Sequence, residues 1–306
     1  MKKIIGVLLS LIILSSFQIF GRHQRPLCSE VQAIHHEQPS FEKPVSQLAT
    51  ENQFHSPLFN DWCHALHEEW HLHRKLWEYC YVLQVLHNYQ MLSPGKAALG
   101  FGVGKEPLPA LLAQHGMSVV ASDQDFQSAC DQGWASSKQY AVEKESLNSR
   151  QICDPQLFHS LVELTTVDMN HIPESLHNKF DVVWSCCSLE HLGSIEAGLT
   201  FIKNSVKCLK LGGIAVHTTE FNLSSNLHTI TQGGTVLFRQ HDILKVACEL
   251  SAMGYEVTPL NFHPGQGALD TYIDLPPYQS EPHLKLLIGN YTCTSIGLII
   301  RKKGNS

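Results

Sequence analysis

The sequence predicts a doubly wound α/β domain built on a mostly parallel sheet, and three observations carry that expectation. The stretch Lys96 to Asp123, KAALGFGVGKEPLPALLAQHGMSVVASD, reads as strand, glycine turn, helix and strand. Two later apolar runs, Val162 to Met169 and Phe180 to Ser185, each pass into a polar or acidic loop. An amphipathic helical pattern from Ile195 to Leu209 then leads through Lys210-Leu-Gly212-Gly213 into another strand, Ile214 to Glu220. Strands alternating with helices in this way are the pattern of a parallel sheet covered on both faces.

The first unit organises the rest. Ala97 to Leu99 extends into Gly100-Phe101-Gly102-Val-Gly104, Glu106 and Pro107 suit a helix's first turn, and Leu108 to Ala113 supplies an apolar face. Val119 to Ala121 forms the second strand, and Asp123 ends it. Glycines at such a turn let a ligand approach the backbone, while a carboxylate closing the next strand can take both hydroxyls of a ribose. Gly100, Phe101, Gly102, Gly104, Asp123 and Gln124 are therefore candidate cofactor contacts. A dinucleotide fingerprint, G-x-G-x-x-G, needs a third glycine where Lys105 stands.

Composition bounds the function. The chain has 306 residues, 43% of them hydrophobic, and a formal charge of -6. That length and apolar content suit one domain with additions, and no basic run interleaved with aromatics offers a nucleic-acid surface. Residues 1–21 open with Lys2 and Lys3 and continue into an apolar run, 4–20, that reads as a membrane anchor or a signal segment. Arg22 and Arg25 nearly balance the lysines, so orientation stays open. Residues 22–53, with Pro26, Pro39 and Pro44, read as a linker or loose arm. The ten cysteines are scattered without C-x-x-C spacing, and Cys186-Cys187 fall in an apparent buried strand, so they read as mostly free thiols. Asn222-Leu-Ser224 and Asn290-Tyr-Thr292 match a glycosylation pattern that matters only in a secretory lumen.

Residues 54–94 read as an N-terminal helical extension, since Trp62, Leu66, Trp70, Leu76, Trp77, Tyr81 and Leu86 recur at mixed three and four spacings in one long pattern from Phe59 to Leu92. His64, His67, His71 and His73 on it could converge on zinc, but a wet helix face in a chain with 19 histidines is the favoured reading, and no metal site is expected. After Asp123, Gln127 to Trp134 reads as helix, His241 to Met253 as another, and Gly254-Tyr-Glu-Val-Thr and Thr292 to Arg301 as late strands.

From Gly95 to about Thr258, plus the final strand, the motifs resemble class I S-adenosylmethionine (SAM) dependent methyltransferases. The G-x-G-x-G turn matches their first motif, Phe180 to Gly193 with Glu190-His191 their fourth, and the L-x-G-G turn a later one, with Leu211 where many relatives have proline. The phrases LGFGVGKEPL, SLEHLGSIEAGL, HTTEFN and VLFRQHD further resemble bacterial methyltransferases associated with saccharide or surface-glycan biosynthesis. The resemblance implies a Rossmann-like domain over 95–306 with a seven-stranded, mostly parallel sheet and SAM as cofactor. It also implies that Asp168 and Met169 contact adenine, that Ser185 joins the cofactor set, and that the acceptor is a small polar molecule, a saccharide hydroxyl or amine being one candidate. Ala98 departs from the pattern, because an acidic residue often stands there to orient the methionine amino group; Glu106 or backbone would take that role.

His191 is the expected base, since imidazole titrates near neutrality, and Glu220 is the second candidate. Asn222, Arg239 and His241 could hold a polar acceptor. A membrane-tethered, non-catalytic SAM-binding module is the alternative, and an NAD-dependent oxidoreductase is third. A domain facing the cytosol, where SAM is made, is expected if residues 4–20 stay as an anchor; a cleaved signal would make the protein secreted.

Overall fold

The computed structural model describes residues 34–137 and 139–304. The predicted anchor, residues 1–21, lies outside them, as does the linker up to residue 33. In chain order the first elements are β1 (Ile34–His35), β2 (Ser46–Gln47), α1 (Glu51–Phe54), α2 (Pro57–Ala65) and α3 (Arg74–Asn88). Next come β3 (Ala97–Phe101), α4 (Leu108–Gln114), β4 (Ser118–Asp123), α5 (Phe126–Asp131), α6 (Pro155–Leu161) and β5 (Val162–Thr166). The remainder is β6 (Phe180–Cys186), α7 (Ile195–Ser205), β7 (Leu209–Asn222), α8 (Gln240–Ala252), β8 (Tyr255–Val257), β9 (Leu260–Asn261), β10 (Leu286–Ile288) and β11 (Tyr291–Lys302).

The main sheet runs β10-β11-β7-β6-β3-β4-β5, with β8 also paired to β11. β5, β4, β3, β6 and β7 are mutually parallel, and β11 inserts antiparallel beside β7 over nine residue pairs, Cys293↔Asn222 to Arg301↔Ile214. Order reverses between β3 and β6, the switch point outside which open α/β sheets place their ligands. The sheet has eight strands among the described residues, not the expected seven. The extra one arises because β11 is long enough to pair β10 at Tyr291–Cys293 and β8 at Ile300–Lys302.

Both faces of the sheet are buried. Ala98, Val182, Trp184, Cys186 and Val216 pack toward α3 and α4, while Leu99, Phe101, Val183 and Ala215 pack toward α7 and α8. Such strands read as continuous apolar runs, so the sequence gives little sign of which residue faces which layer.

Three further expectations are corrected. Part of the predicted linker is packed: β1 and β2 flank β9 in a three-stranded sheet, and Phe41, Leu48 and Ala49 are buried. Ser46 anchors this segment by bonding Thr258 through both its N–H and its hydroxyl. The long helical pattern from Phe59 to Leu92 is two helices, α2 and α3. His67 adopts φ 51°, Glu68 N–H bonds Cys63 C=O and His67 N–H bonds His64 C=O. That is a left-handed helix stop with a histidine in the glycine position. Finally, the Lys210-Leu-Gly-Gly segment lies inside β7, where pairing with β6 is irregular between Phe180 and Val182 and Gly212 takes φ 80°.

Candidate functional site

The glycine turn after β3 is where the chain makes room. Gly102 and Gly104 have φ of 58° and 50°, and a Cβ on them would come within 2.6 Å of Ser188 Cβ and of Gln139 O respectively. No other residue type fits both conformation and space. Asp123, at the end of β4, ties the turn down: Gly104 N–H donates to Oδ2 at 2.9 Å and Gln124 N–H to Oδ1 at 2.8 Å. Burial raises its pKa, while those two N–H donors pull the other way. Each oxygen keeps a second lone pair for a ligand hydroxyl.

These residues border a cleft of about 830 Å³ at the carboxyl ends of β3, β4, β5 and β6. Of the predicted contacts, Gly102, Gly104, Asp123, Gln124, Asp168, Met169 and His191 line it. Met169 is buried beside the turn, its sulfur 3.3 Å from where a Gly102 Cβ would stand. Asp168 is at the exposed lip, where Oδ1 accepts from Asn170 N–H and Oδ2 pairs with His171 Nδ1 at 2.7 Å. A ligand amine there must compete with His171.

Seven predicted residues do not line the cleft, and the packing explains each. Gly100 lies under the Trp184 ring, which an added Cβ would meet at 2.3 Å, so this glycine admits a side chain rather than a ligand. Phe101 is fully buried against the opposite layer, edge-on to Phe201. Ser185 faces the same layer and bonds His217 Nδ1 at 2.8 Å. Glu220 is buried against the Arg74 guanidinium. Asn222, Arg239 and His241 fasten the loop between β7 and α8: Asn222 Nδ2 donates to His228 C=O, Arg239 forms a capping box with Asp242, and His241 bonds Asn226.

His191 closes a 3₁₀ turn, Leu189–His191, beyond β6. Its Nδ1 is 2.7 Å from Gly234 C=O, a group that only accepts, so Nδ1 carries the hydrogen and Nε2 is left as the basic nitrogen. The Trp134 ring holds the imidazole edge-on at 4.7 Å. Nε2 stands 3.9 Å from Glu190 Oε1.

Glu106 is the site's buried carboxyl. It lies on the cleft wall, accepts from Trp184 Nε1–H at 2.5 Å, and is pushed up to about 8, chiefly by burial. Beside it, α3 contributes residues the sequence pattern did not single out. Arg74, Lys75 and Tyr79 line the cleft, and Glu78 lies behind them. Lys75 Nζ donates to Cys186 C=O at 3.1 Å and pairs with Glu78 at 2.9 Å. Arg74 donates to Glu78, Cys187 Sγ and Ser295 Oγ and pairs with Glu220. Burial alone would raise Glu78, but Lys75 and Arg74 outweigh it and hold the carboxyl at about 2. The signal available was local: Arg74, Lys75 and Glu78 sit at the three and four spacing that brings helix side chains together. The histidines of this region do not converge: His67 bonds Arg150 C=O, His71 bonds Glu69 C=O, and His73 caps α3 and stacks on His283 at 4.5 Å.

No family model matches the chain and no curated protein matches it. Solved structures similar to it include magnesium protoporphyrin IX methyltransferase from Synechocystis with bound SAM, at 15% identity and a TM-score of 0.40, covering 82% of this chain and 94% of that one. An O-methyltransferase family protein from Burkholderia thailandensis is similar at 12% identity and a TM-score of 0.41, covering 76% and 60%. Phosphoethanolamine N-methyltransferase 2 from Haemonchus contortus, in complex with SAM, is similar at 14% identity and 0.42, covering 72% and 52%. The chain thus spans less than two thirds of the last two proteins.

Proposed function

We propose that this protein is a SAM-dependent methyltransferase acting on a small polar acceptor. The observation that carries the reading is the pairing of Asp123 with the left-handed Gly102–Gly104 turn on one cleft that also presents a basic imidazole nitrogen. The residues suit the cofactor group by group. Asp123 can take ribose hydroxyls, Met169 offers an apolar surface for adenine, and exposed Lys105 stands where the third glycine of a pyrophosphate-binding turn would be. Lys75, with two of its three N–H donors engaged, has one for a ligand carboxylate. Glu106, neutral in its buried setting, gains its proper counter-ion when an ammonium lies beside it, and so fills the role left open by Ala98.

When bound, SAM supplies an electrophilic methyl group on a sulfonium. The protein's own part is to align the acceptor, keep water away, and receive one proton at His191 Nε2. Gly234 C=O keeps the imidazole in the tautomer that can do so, and Trp134 limits its rotation. A saccharide hydroxyl or amine is the acceptor class we favour, on the sequence phrases alone. We further propose that the domain faces the cytosol, since Cys63, Cys80, Cys153, Cys186, Cys208 and Cys293 are buried free thiols. Among the described residues no helix is long and apolar enough to cross a membrane, so membrane contact rests on residues 4–20.

A screen of polar metabolites and glycans with methyl-labelled SAM tests the reading and supplies the acceptor. His191→Ala should then bind SAM as the native chain does while turning over about 10²–10⁴-fold more slowly. Normal turnover of the acceptor by that variant would remove His191 from the mechanism.

A further inference from the structure

We propose that Cys187, Glu190 and Glu220 form a buried site for a divalent cation of the zinc class, beside the cleft and independent of what the cleft binds. One ligand atom from each lies within 4.8 Å of the other two. Donors around a tetrahedral zinc-like ion at ~2.0–2.3 Å stand roughly 3.3–3.8 Å apart, so the group needs only a small contraction to close on one ion. The three come from separate segments: the residue just past β6, the 3₁₀ turn, and the end of β7. One ion would therefore pin together the loop that carries His191.

Glu190 points independently to a missing partner. It is fully buried, its Oε2 accepts from Thr219 Oγ1 at 3.0 Å, and its Oε1 has no hydrogen-bond partner, His191 Nε2 standing off at 3.9 Å. An unmatched carboxylate oxygen in the interior costs several kcal/mol at the order-of-magnitude level unless a donor or a cation meets it. The local charges agree. Two partly buried cations, Arg74 and Lys75, face three buried carboxylates, Glu78, Glu190 and Glu220. The group is thus one positive charge short. A divalent ion that displaces the Cys187 proton brings it to neutrality, because it adds two charges and the thiolate removes one.

Arg74 and Glu78 are the competitors: Arg74 contacts Cys187 Sγ at 3.4 Å and pairs with Glu220, while the Cys187 thiol donates to Glu78 Oε1 at 2.9 Å the hydrogen that an ion would displace. Yet a guanidinium hydrogen-bonded to metal ligands can orient them as outer-shell donors do, and here it leaves Glu190 Oε1 without a hydrogen-bond partner. The donor set of one thiolate and two carboxylates suits a borderline ion better than magnesium or calcium, which prefer oxygen alone. Three protein ligands leave a fourth position, as in catalytic zinc sites, and Cys187 is on the cleft wall, where water could fill it.

The test uses the full chain, stripped with a chelator and titrated with cobalt(II) as a visible stand-in for zinc. The expected result is one tight ion per chain with a thiolate-to-cobalt charge-transfer band, displaced by zinc. Cys187→Ser should abolish the band, and Glu190→Gln should weaken binding by at least the roughly 10–100-fold that even outer-shell changes cost, with circular dichroism confirming both variants folded. His71→Ala should change neither. Cobalt bound by the native chain without a thiolate band, no binding above that of the exposed histidines, or equal uptake by Cys187→Ser would each overturn the site. None of these outcomes bears on SAM binding.

Discussion

Replacing Glu106 with glutamine tests the electrostatics of the cleft wall most sharply. The carboxyl is buried and pushed from an ordinary 4.5 up to about 8, burial being the main cause. At ~1.4 kcal/mol per unit, that displacement is worth on the order of 5 kcal/mol. The sign follows from proton counts. Between about pH 4.5 and 8 the folded chain holds a proton on Glu106 that the unfolded chain has released, so stability falls as pH rises through that window. The contribution is fully present below 4.5 and lost above 8. Glutamine keeps an oxygen for Trp184 Nε1–H but cannot ionise. Denaturant unfolding at intervals from pH 5 to 9 should therefore show native and Glu106→Gln chains diverging steadily, with the variant the more stable by several kcal/mol at the alkaline end. Groups shared by both chains cancel in the difference. A difference that stays flat with pH would refute the buried neutral carboxyl, and with it the idea that Glu106 waits for an ammonium.

The turn and the thiols give two further outcomes. Gly102→Ala should fold with a disturbed cleft and lose most SAM affinity, because its Cβ would meet Ser188 at 2.6 Å in a left-handed conformation; calorimetry reads the loss, and unchanged affinity would show that no ligand uses the turn. Thiol titration of the unreduced, denatured chain should find the six buried cysteines named above free, with the domain protease-accessible from the cytosolic side of membranes, whereas bridged cysteines on an external domain would contradict the proposed orientation.

Much of this was legible in the sequence, for physical reasons that also explain the rest. Gly102, Gly104 and Asp123 could be read because positive φ and a strand-ending carboxylate leave a residue-level mark. The parity of a strand buried on both faces leaves none, so Ser185 was placed with the cofactor although its neighbours Trp184 and Cys186 face the cleft side and Ser185 faces His217. Glu220 was expected to end a strand that in fact runs on to Asn222, and nothing local tells that Arg74, 146 positions earlier in the chain, reaches it. The stop at His67 escaped because histidine there mimics what glycine usually does. Glu106 looked like a first-turn helix residue, and only the packing of Trp184 above Gly100 makes it a buried acid.

The central claim is that the Gly102–Gly104 turn and Asp123 hold SAM, and titration calorimetry of the purified chain with SAM and with NAD tests it most directly. The account predicts SAM binding, no comparable NAD binding, and a loss of roughly 1.5–3 kcal/mol in Asp123→Ala, the range for hydrogen bonds to a charged group. Tight NAD binding without SAM binding, or SAM affinity untouched by Asp123→Ala, would contradict it.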